Sequence, residues 1–169
     1  MRSLISRHKT RLLSGAGAGA GAVPEQLDPC VCRDFPCPLD GNCEVHNCIY
    51  QATVNSDDGR TETYVGVTNY FKKRFVAHRA TFNRRPDPDP DKGTTLSSYI
   101  WKLKDENKQF NVTWKIIDRG PTYNPITKKC LLCIRESFHI IFDNPTLNRR
   151  TKLFNPCRHR LSELLCKQK

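Results

Sequence analysis

A change of hydrophobic period near Asn69 constrains the fold of this 169-residue chain more than any other feature. Before that point, residues 49–54 and 61–67 are short runs rich in β-branched and aromatic side chains, joined by turn-forming residues at 55–59. After Asn69, three phenylalanines and one histidine recur at the spacing of one helix face, at Phe71, Phe75, His78 and Phe82. The pattern therefore predicts an antiparallel hairpin followed by an amphipathic helix.

Three further segments complete the predicted fold. Apolar residues between 96 and 103 have helical spacing, and those between 110 and 116 alternate with polar ones as in a strand. A third helix, ending at residues 144–145, is expected to bury the stripe Leu131, Ile134, Phe138 and Ile141. The order β-β-α-α-β-α predicts a small α/β domain with a three-stranded, mainly antiparallel sheet flanked by helices.

Charge and cysteine usage narrow the classes of function. Lys and Arg number 28 against 17 Asp and Glu, and this formal charge of +11 favours a polyanionic partner, DNA before an anionic membrane. No stretch approaches the ~20 apolar residues that cross a bilayer. Nine cysteines, an odd number with no apolar signal segment at the start, favour metal binding in a reducing, intracellular compartment over a disulfide scaffold.

Composition divides the chain into four regions. Residues 1–26 combine basic side chains with Gly-Ala repeats and are expected to be a basic arm and flexible linker, with a transit peptide as the alternative. Residues 27–46 form a Cys-rich segment and a candidate zinc site. Residues 47–150 are the predicted folded domain, and residues 151–169 are a basic C-terminal tail.

Aromatic and polar residues follow one another across these elements in a distinctive order. The first strand carries Cys-Ile-Tyr at 48–50 and the second carries Tyr-Val-Gly at 64–66. Polar side chains follow on the first and third helices and just beyond the third: Arg74, His78, Glu136 and Asn148. This order resembles the GIY-YIG endonuclease family over residues 48–150. The sequence departs from the family at Cys48, where a glycine is usual, so a strained backbone there would impair catalysis.

The resemblance implies a metal-dependent DNA endonuclease that hydrolyses phosphodiester bonds with Mg²⁺ or Mn²⁺. Tyr50 would then act as general base assisted by His78, Tyr64 would orient the phosphate or water, and Asn148 would support the site. The Cys-rich segment and basic arm also resemble endonuclease modules of eukaryotic mobile elements, Penelope-like retroelements among them. That likeness implies a role in element integration and a nuclear location.

Elementary chemistry supports the same assignment from the residues themselves. Arg74 and His78 are four apart on a helix, so they share a face and can converge on one phosphate. Glu136 lies off the expected apolar stripe, so its carboxylate can face a wet cleft and bind Mg²⁺. Each residue also has a purely structural interpretation. The two tyrosines can be cross-strand neighbours, His78 a core-edge histidine, and Glu136 the partner of a lysine.

Two sets of soft ligands suit tetrahedral Zn²⁺, and buried free thiols are the alternative for both. The first set lies in the Cys-rich segment and comprises Cys30, Cys32, Cys37 and Cys43. The second joins a C-x-x-C at the start of the third helix to a C-x-H in the basic tail, as Cys130, Cys133, Cys157 and His159. Cys48 and Cys166 belong to neither set. These sets keep open a second function, a non-catalytic zinc-stabilised nucleic-acid-binding module, and more remotely a protein-interaction domain.

Overall fold

The computed structural model describes residues 30, 32, 36–85, 93–149 and 157. The elements in chain order are β1 (His46–Ser56), β2 (Thr61–Tyr70), α1 (Phe71–Asn83), α2 (Thr95–Asp105), β3 (Phe110–Arg119), β4 (Tyr123–Asn124), β5 (Lys129–Cys130) and α3 (Leu131–Phe142). The predicted order is confirmed, with the two-residue strands β4 and β5 added. The predicted arm at 1–26, and the tail after 149 apart from Cys157, lie outside the described residues. No helix within the described ranges has the length and apolar character of a membrane span.

The main sheet has the order β2-β1-β3, with both pairings antiparallel. The predicted fold class is therefore confirmed. Both hairpin strands extend beyond the predicted runs, because β1 begins at His46 and β2 ends at Tyr70, where the two rings stack 4.6 Å apart. Backbone pairing thus continues where the alternation of apolar residues has already ceased. Gly59 adopts a φ of 80° in the connecting turn, which suits a residue without a Cβ.

Two hydrophobic clusters draw on alternate residues of β1, as the two faces of a strand require. Tyr50, Ala52 and Val54 enter one cluster with Phe71 of α1, and with Leu96, Ile100 and Leu103 of α2. Ile49 enters the other cluster with Val65 of β2, and with Leu132 and Ile140 of α3. β1 therefore lies at the centre of the fold, with apolar contacts on both faces.

The apolar stripe predicted for the third helix is wrong. Leu131, Ile134, Phe138 and Ile141 are 40–54% exposed, and Leu132 and Ile140 are buried in their place. The helix is apolar on two opposite faces, so its spacing alone does not identify the core side. In the observed rotation Arg135 forms a 3.0 Å ion pair with Asp118 and also donates to the carbonyl of Arg119.

The Cys-rich segment packs directly on the main core. Cys43 and Val45 are buried in the same cluster as Tyr50. The carbonyl of Val45 accepts a 2.8 Å hydrogen bond from the backbone N–H of Phe71, the first residue of α1. The segment is thereby attached to the start of the helix that carries Arg74 and His78.

Replacing Gly66 with alanine should destabilise the fold, because a Cβ there would lie 2.5 Å from the Tyr50 hydroxyl oxygen and 2.7 Å from its Cζ. We expect Gly66→Ala to lower the free energy of unfolding by about 1–3 kcal/mol, measured by urea denaturation. Gly120→Ala is the control, since the nearest atom to a Cβ there is Nη1 of Arg135 at 3.4 Å, at the far end of a long side chain. Equal stability of the two variants would contradict this packing.

Candidate active site

The Tyr50 hydroxyl group is the centre of the predicted constellation. It lies 2.8 Å from Nε2 of His78 and accepts a 3.1 Å hydrogen bond from Nε of Arg74. Both partners project from the same face of α1, as their spacing predicted. Tyr50 and His78 are buried whereas Arg74 is half-buried, so the guanidinium group extends the cluster towards solvent.

Tyr64 of β2 joins this cluster from the neighbouring strand. Its ring centroid is 6.3 Å from that of Tyr50 and 6.0 Å from that of His78. The residue paired with Tyr50 across the strands is Gly66. Because that position has no side chain, the Tyr50 ring can lie across it and reach α1. The Tyr-Val-Gly sequence therefore supplies one aromatic side chain and the space for another.

Trp114 of β3 closes the cluster on a side that sequence reasoning missed. Its ring lies 5.8 Å from that of Tyr50 and 5.4 Å from that of His78, measured between centroids. The sequence places Trp114 at an inward-facing position of the alternating strand, but it does not show how β3 aligns with β1. The structure pairs Trp114 with Ala52, and this small residue leaves room for the indole.

Burial raises the pKa of Tyr50, and the neighbouring Tyr64 and Glu136 raise it further, while Arg74 acts in the opposite direction. The phenol is therefore neutral around pH 7. For Arg74, burial lowers the pKa, but the oxygens of Tyr50 and Tyr64 outweigh that effect and raise it. The cluster thus holds a permanent cation beside a phenol that gives up its proton only with assistance.

Glu136 reaches the cluster from the core side of α3. It lies four residues from each of the buried Leu132 and Ile140, so the three share one helix face. Glu136 was predicted to lie off the apolar stripe and to face a wet cleft, but the residues of that stripe are on the exposed side of α3. The residue is half-buried, and its charge acts on Tyr50. A single carboxylate at this position fits Mg²⁺, which binds few protein ligands and retains waters.

Asn148 takes the place of a strand on the outer edge of β2. Its Oδ1 accepts a 2.7 Å hydrogen bond from the N–H of Val65, and its Nδ2 donates to the carbonyl of the same residue at 2.8 Å. One residue earlier, the N–H of Leu147 donates to the carbonyl of Thr63 at 2.9 Å. The carboxamide therefore fixes the backbone between Tyr64 and Gly66, so Asn148 is a positioning residue in this structure.

Cys48 occupies the position where the GIY-YIG pattern has glycine, and the strand accommodates it. Cys48 is fully buried and pairs with Thr68 of β2 and with Arg119 of β3. Burial raises the pKa of its thiol to about 11, although Arg119 opposes this. The thiol is therefore neutral at pH 7, and Cys48 is not among the positive-φ residues that the structure describes.

Four sulfurs of the Cys-rich segment form one compact group. The Sγ atoms of Cys30 and Cys37 are 3.2 Å apart, and those of Cys32 and Cys43 are 3.4 Å apart. All four lie within 4.8 Å of one another, so they could hold a metal ion. Tetrahedral zinc with Zn–S bonds of ~2.3 Å would place its sulfurs about 3.8 Å apart, which fits this spacing.

The thiols of this group differ in pKa, because that of Cys30 is lowered whereas burial raises that of Cys32. Hydrogen bonds from the backbone of Cys43 and from the neighbouring thiols lower the pKa of Cys30 to about 7. Burial raises the pKa of Cys43, so without a cation this thiol stays neutral. A bound cation would stabilise all four sulfurs as thiolates.

A second sulfur group joins the start of α3 to the tail. Cys130, Cys133 and Cys157 lie within 4.8 Å of one another and could also hold a metal ion. The Sγ atoms of Cys133 and Cys157 are 3.5 Å apart. The predicted fourth ligand, His159, lies outside the described residues.

No family model, curated protein or solved structure matches this chain.

Asn148→Ala should leave the N–H and carbonyl groups of Val65 without their side-chain partner. We expect a loss of about 1–3 kcal/mol in the free energy of unfolding, measured by urea denaturation. Thr146→Ala is the matched control, because Thr146 is exposed and water can replace its hydrogen bond to the N–H of Thr63. A loss no larger than that of the control would refute the strand-like role of Asn148.

Proposed function

We propose that this chain is a metal-dependent DNA endonuclease of the GIY-YIG type. What supports it is the arrangement of four predicted residues from three elements around the Tyr50 hydroxyl group of β1: β2 supplies Tyr64, α1 supplies Arg74 and His78, and α3 supplies Glu136, whose charge acts on Tyr50. A structural aromatic core needs neither an arginine bonded to a buried phenol nor a carboxylate within electrostatic reach of it.

Each residue has a defined part in the proposed reaction. Arg74 binds the scissile phosphate and stabilises the charge that develops during phosphoryl transfer. Tyr50 draws a proton from the attacking water and can pass its own proton to His78 across the 2.8 Å contact. Glu136 would hold a divalent cation, which stabilises the departing oxygen when bound. Tyr64 packs beside the rings of Tyr50 and His78. Asn148 holds the β2 backbone at Val65, between Tyr64 and Gly66.

DNA is the proposed substrate because the chain carries a formal charge of +11. α1 bears Lys72, Lys73 and Arg79 in addition to Arg74. Phosphate contacts by such side chains release counterions, so affinity should fall steeply as salt concentration rises.

We also propose that both sulfur groups hold structural zinc. A zinc ion at the first group would fix the segment whose Val45 carbonyl accepts from the start of α1. A zinc ion at the second group would tie the tail to the helix that carries Glu136. Both ions would stabilise the active-site elements without touching the substrate.

A second candidate function is a zinc-stabilised nucleic-acid-binding module without activity. The observation that favours it is the complete burial of the Tyr50 side chain, because a general base must reach the water that it activates. The endonuclease proposal requires Arg74 or Tyr64 to move when DNA binds. Metal-dependent cleavage by the purified protein separates the two functions.

Arg74→Ala should abolish most cleavage while leaving DNA binding nearly intact. Removing a positioned donor to the transition state costs about 10²–10³ in rate, whereas many other cations maintain affinity. Lys73→Ala is the matched control, because it removes the same charge from an exposed position next along α1. Plasmid nicking with Mg²⁺ gives the rate, and fluorescence anisotropy with a DNA duplex gives the affinity.

Glu136→Gln completes that experiment, because it removes the proposed metal-binding charge while keeping the shape of the side chain. We expect it to lose Mg²⁺-dependent nicking and to bind DNA as tightly as the parent chain. Binding without nicking by the parent chain, across Mg²⁺ and Mn²⁺, would favour the module without activity. Equal nicking by Arg74→Ala and Lys73→Ala would remove Arg74 from the reaction.

Elemental analysis of the purified full chain should find two equivalents of zinc. Cys32→Ser and Cys133→Ser should each remove one equivalent and lower the melting temperature, since loss of a structural metal removes folding free energy. Cys48→Ala is the control and should keep both, because this thiol belongs to neither group. Less than about half an equivalent in the parent chain would refute both sites, since thiolate sites retain zinc through purification.

A further inference from the structure

Helix α3 presents a second apolar face on the side away from the sheet. This outer face consists of the side chains Leu131, Ile134, Phe138, Ile141 and Phe142, which are 40–74% exposed. The rings of Phe138 and Phe142 stack on each other with centroids 5.7 Å apart. None of the five side chains takes part in either hydrophobic cluster of the described residues. Helices that are apolar on opposite faces are usually covered on both.

The chain returns to the start of α3 at Cys157, which packs beside the cluster on the sheet side of the helix. That residue lies 3.5 Å from Cys133, in the first turn of α3, measured between sulfurs. Four to eight residues later the sequence places Leu161, Leu164 and Leu165 at the spacing of one helix face. Eight residues can span up to ~27 Å, and a twelve-residue helix such as α3 is about 18 Å long. Four extended residues between Cys157 and Leu161 span up to ~14 Å, which exceeds the ~10–12 Å diameter of a helix, so the three leucines can pass round α3 and reach the outer face around Phe138.

The size of the outer face favours a tethered occupant over a second copy of the chain. A large aromatic side chain can bury ~150–250 Å². Since its five side chains are 40–74% exposed, the outer face presents roughly 500 Å² of apolar surface. A stable interface between separate proteins needs about 800 Å² on each partner. A segment held at Cys157 has an effective concentration in the millimolar range, so a smaller apolar contact suffices.

We propose that residues 160–169 of this chain cover the outer face of α3, with Leu161, Leu164 and Leu165 packed against Phe138 and its apolar neighbours. With this contact, α3 is packed between the sheet on one side and residues 160–169 on the other. The contact does not depend on the proposed nuclease activity, because neither surface includes a residue of that site.

Two reciprocal variants of the full chain test this contact by hydrogen–deuterium exchange and hydroxyl-radical footprinting. In the parent chain, amides of residues 161–166 should exchange at least ~10-fold more slowly than an unstructured peptide. Replacing Phe138 and Ile141 with serine should abolish that protection. Replacing the three leucines with serine should raise the oxidation rate of Phe138 and Phe142 at least ~3-fold as the rings become accessible. Glu163→Ser combined with Lys167→Ser is the control and should change neither readout.

Sedimentation at several concentrations identifies a competing occupant. We expect a monomer throughout, with protection that does not change on dilution. A dimer that dissociates on dilution and exposes Phe138 would overturn the proposal in favour of a second copy. Exchange of residues 161–166 at the unstructured rate in the parent chain would also overturn it. Circular dichroism in the near ultraviolet verifies that each variant keeps its folded core.

Discussion

The buried hydroxyl group of Tyr50 is the interaction on which the rest of the structure depends. Its two partners, His78 and Arg74, both belong to α1, so the phenol sets how that helix lies on the sheet. Unsatisfied polar groups at such a depth cost about 1–3 kcal/mol each, and this makes the arrangement hard to vary. The same contacts that hold the helix in place also gather the candidate catalytic groups. Stability and proposed chemistry are therefore inseparable at this point.

The sequence predicted the hairpin and the first two helices well, because each buries one face and has one dominant period. It failed at α3 because the helix has apolar residues on two faces, and the face that packs on the sheet is the one that also brings Arg135 to Asp118 of β3. That pair joins residues 17 positions apart in sequence, so no local pattern reveals it. The register between β1 and β3 places Trp114 beside Tyr50, and it could not be predicted from local sequence either.

The candidate site was predictable where its residues lie close together in sequence or follow a motif. Arg74 and His78 needed only helical spacing, and the tyrosines needed only the hairpin. The structural role of Asn148 could not be foreseen, because a carboxamide that replaces a β-strand leaves no trace in hydrophobic periodicity. Glu136 was assigned to the site by the family resemblance, and the supporting prediction of its helix face was reversed. Glu136 lies on the same side of α3 as the buried Leu132 and Ile140, whereas that side was predicted to face solvent.

The pairing of Val65 with Asn148 has a consequence for synthesis of the chain. The two residues are 83 positions apart, which at 5–20 residues per second corresponds to roughly 4–17 s of translation. Until Asn148 has left the ribosome, the outer edge of β2 presents unpaired amide and carbonyl groups beside Tyr64. Exposed strand edges of this kind recruit other strands. A nascent chain that pauses within this interval is therefore exposed to aggregation through the β2 edge, and this exposure outlasts the synthesis of Trp114, the last member of the aromatic cluster.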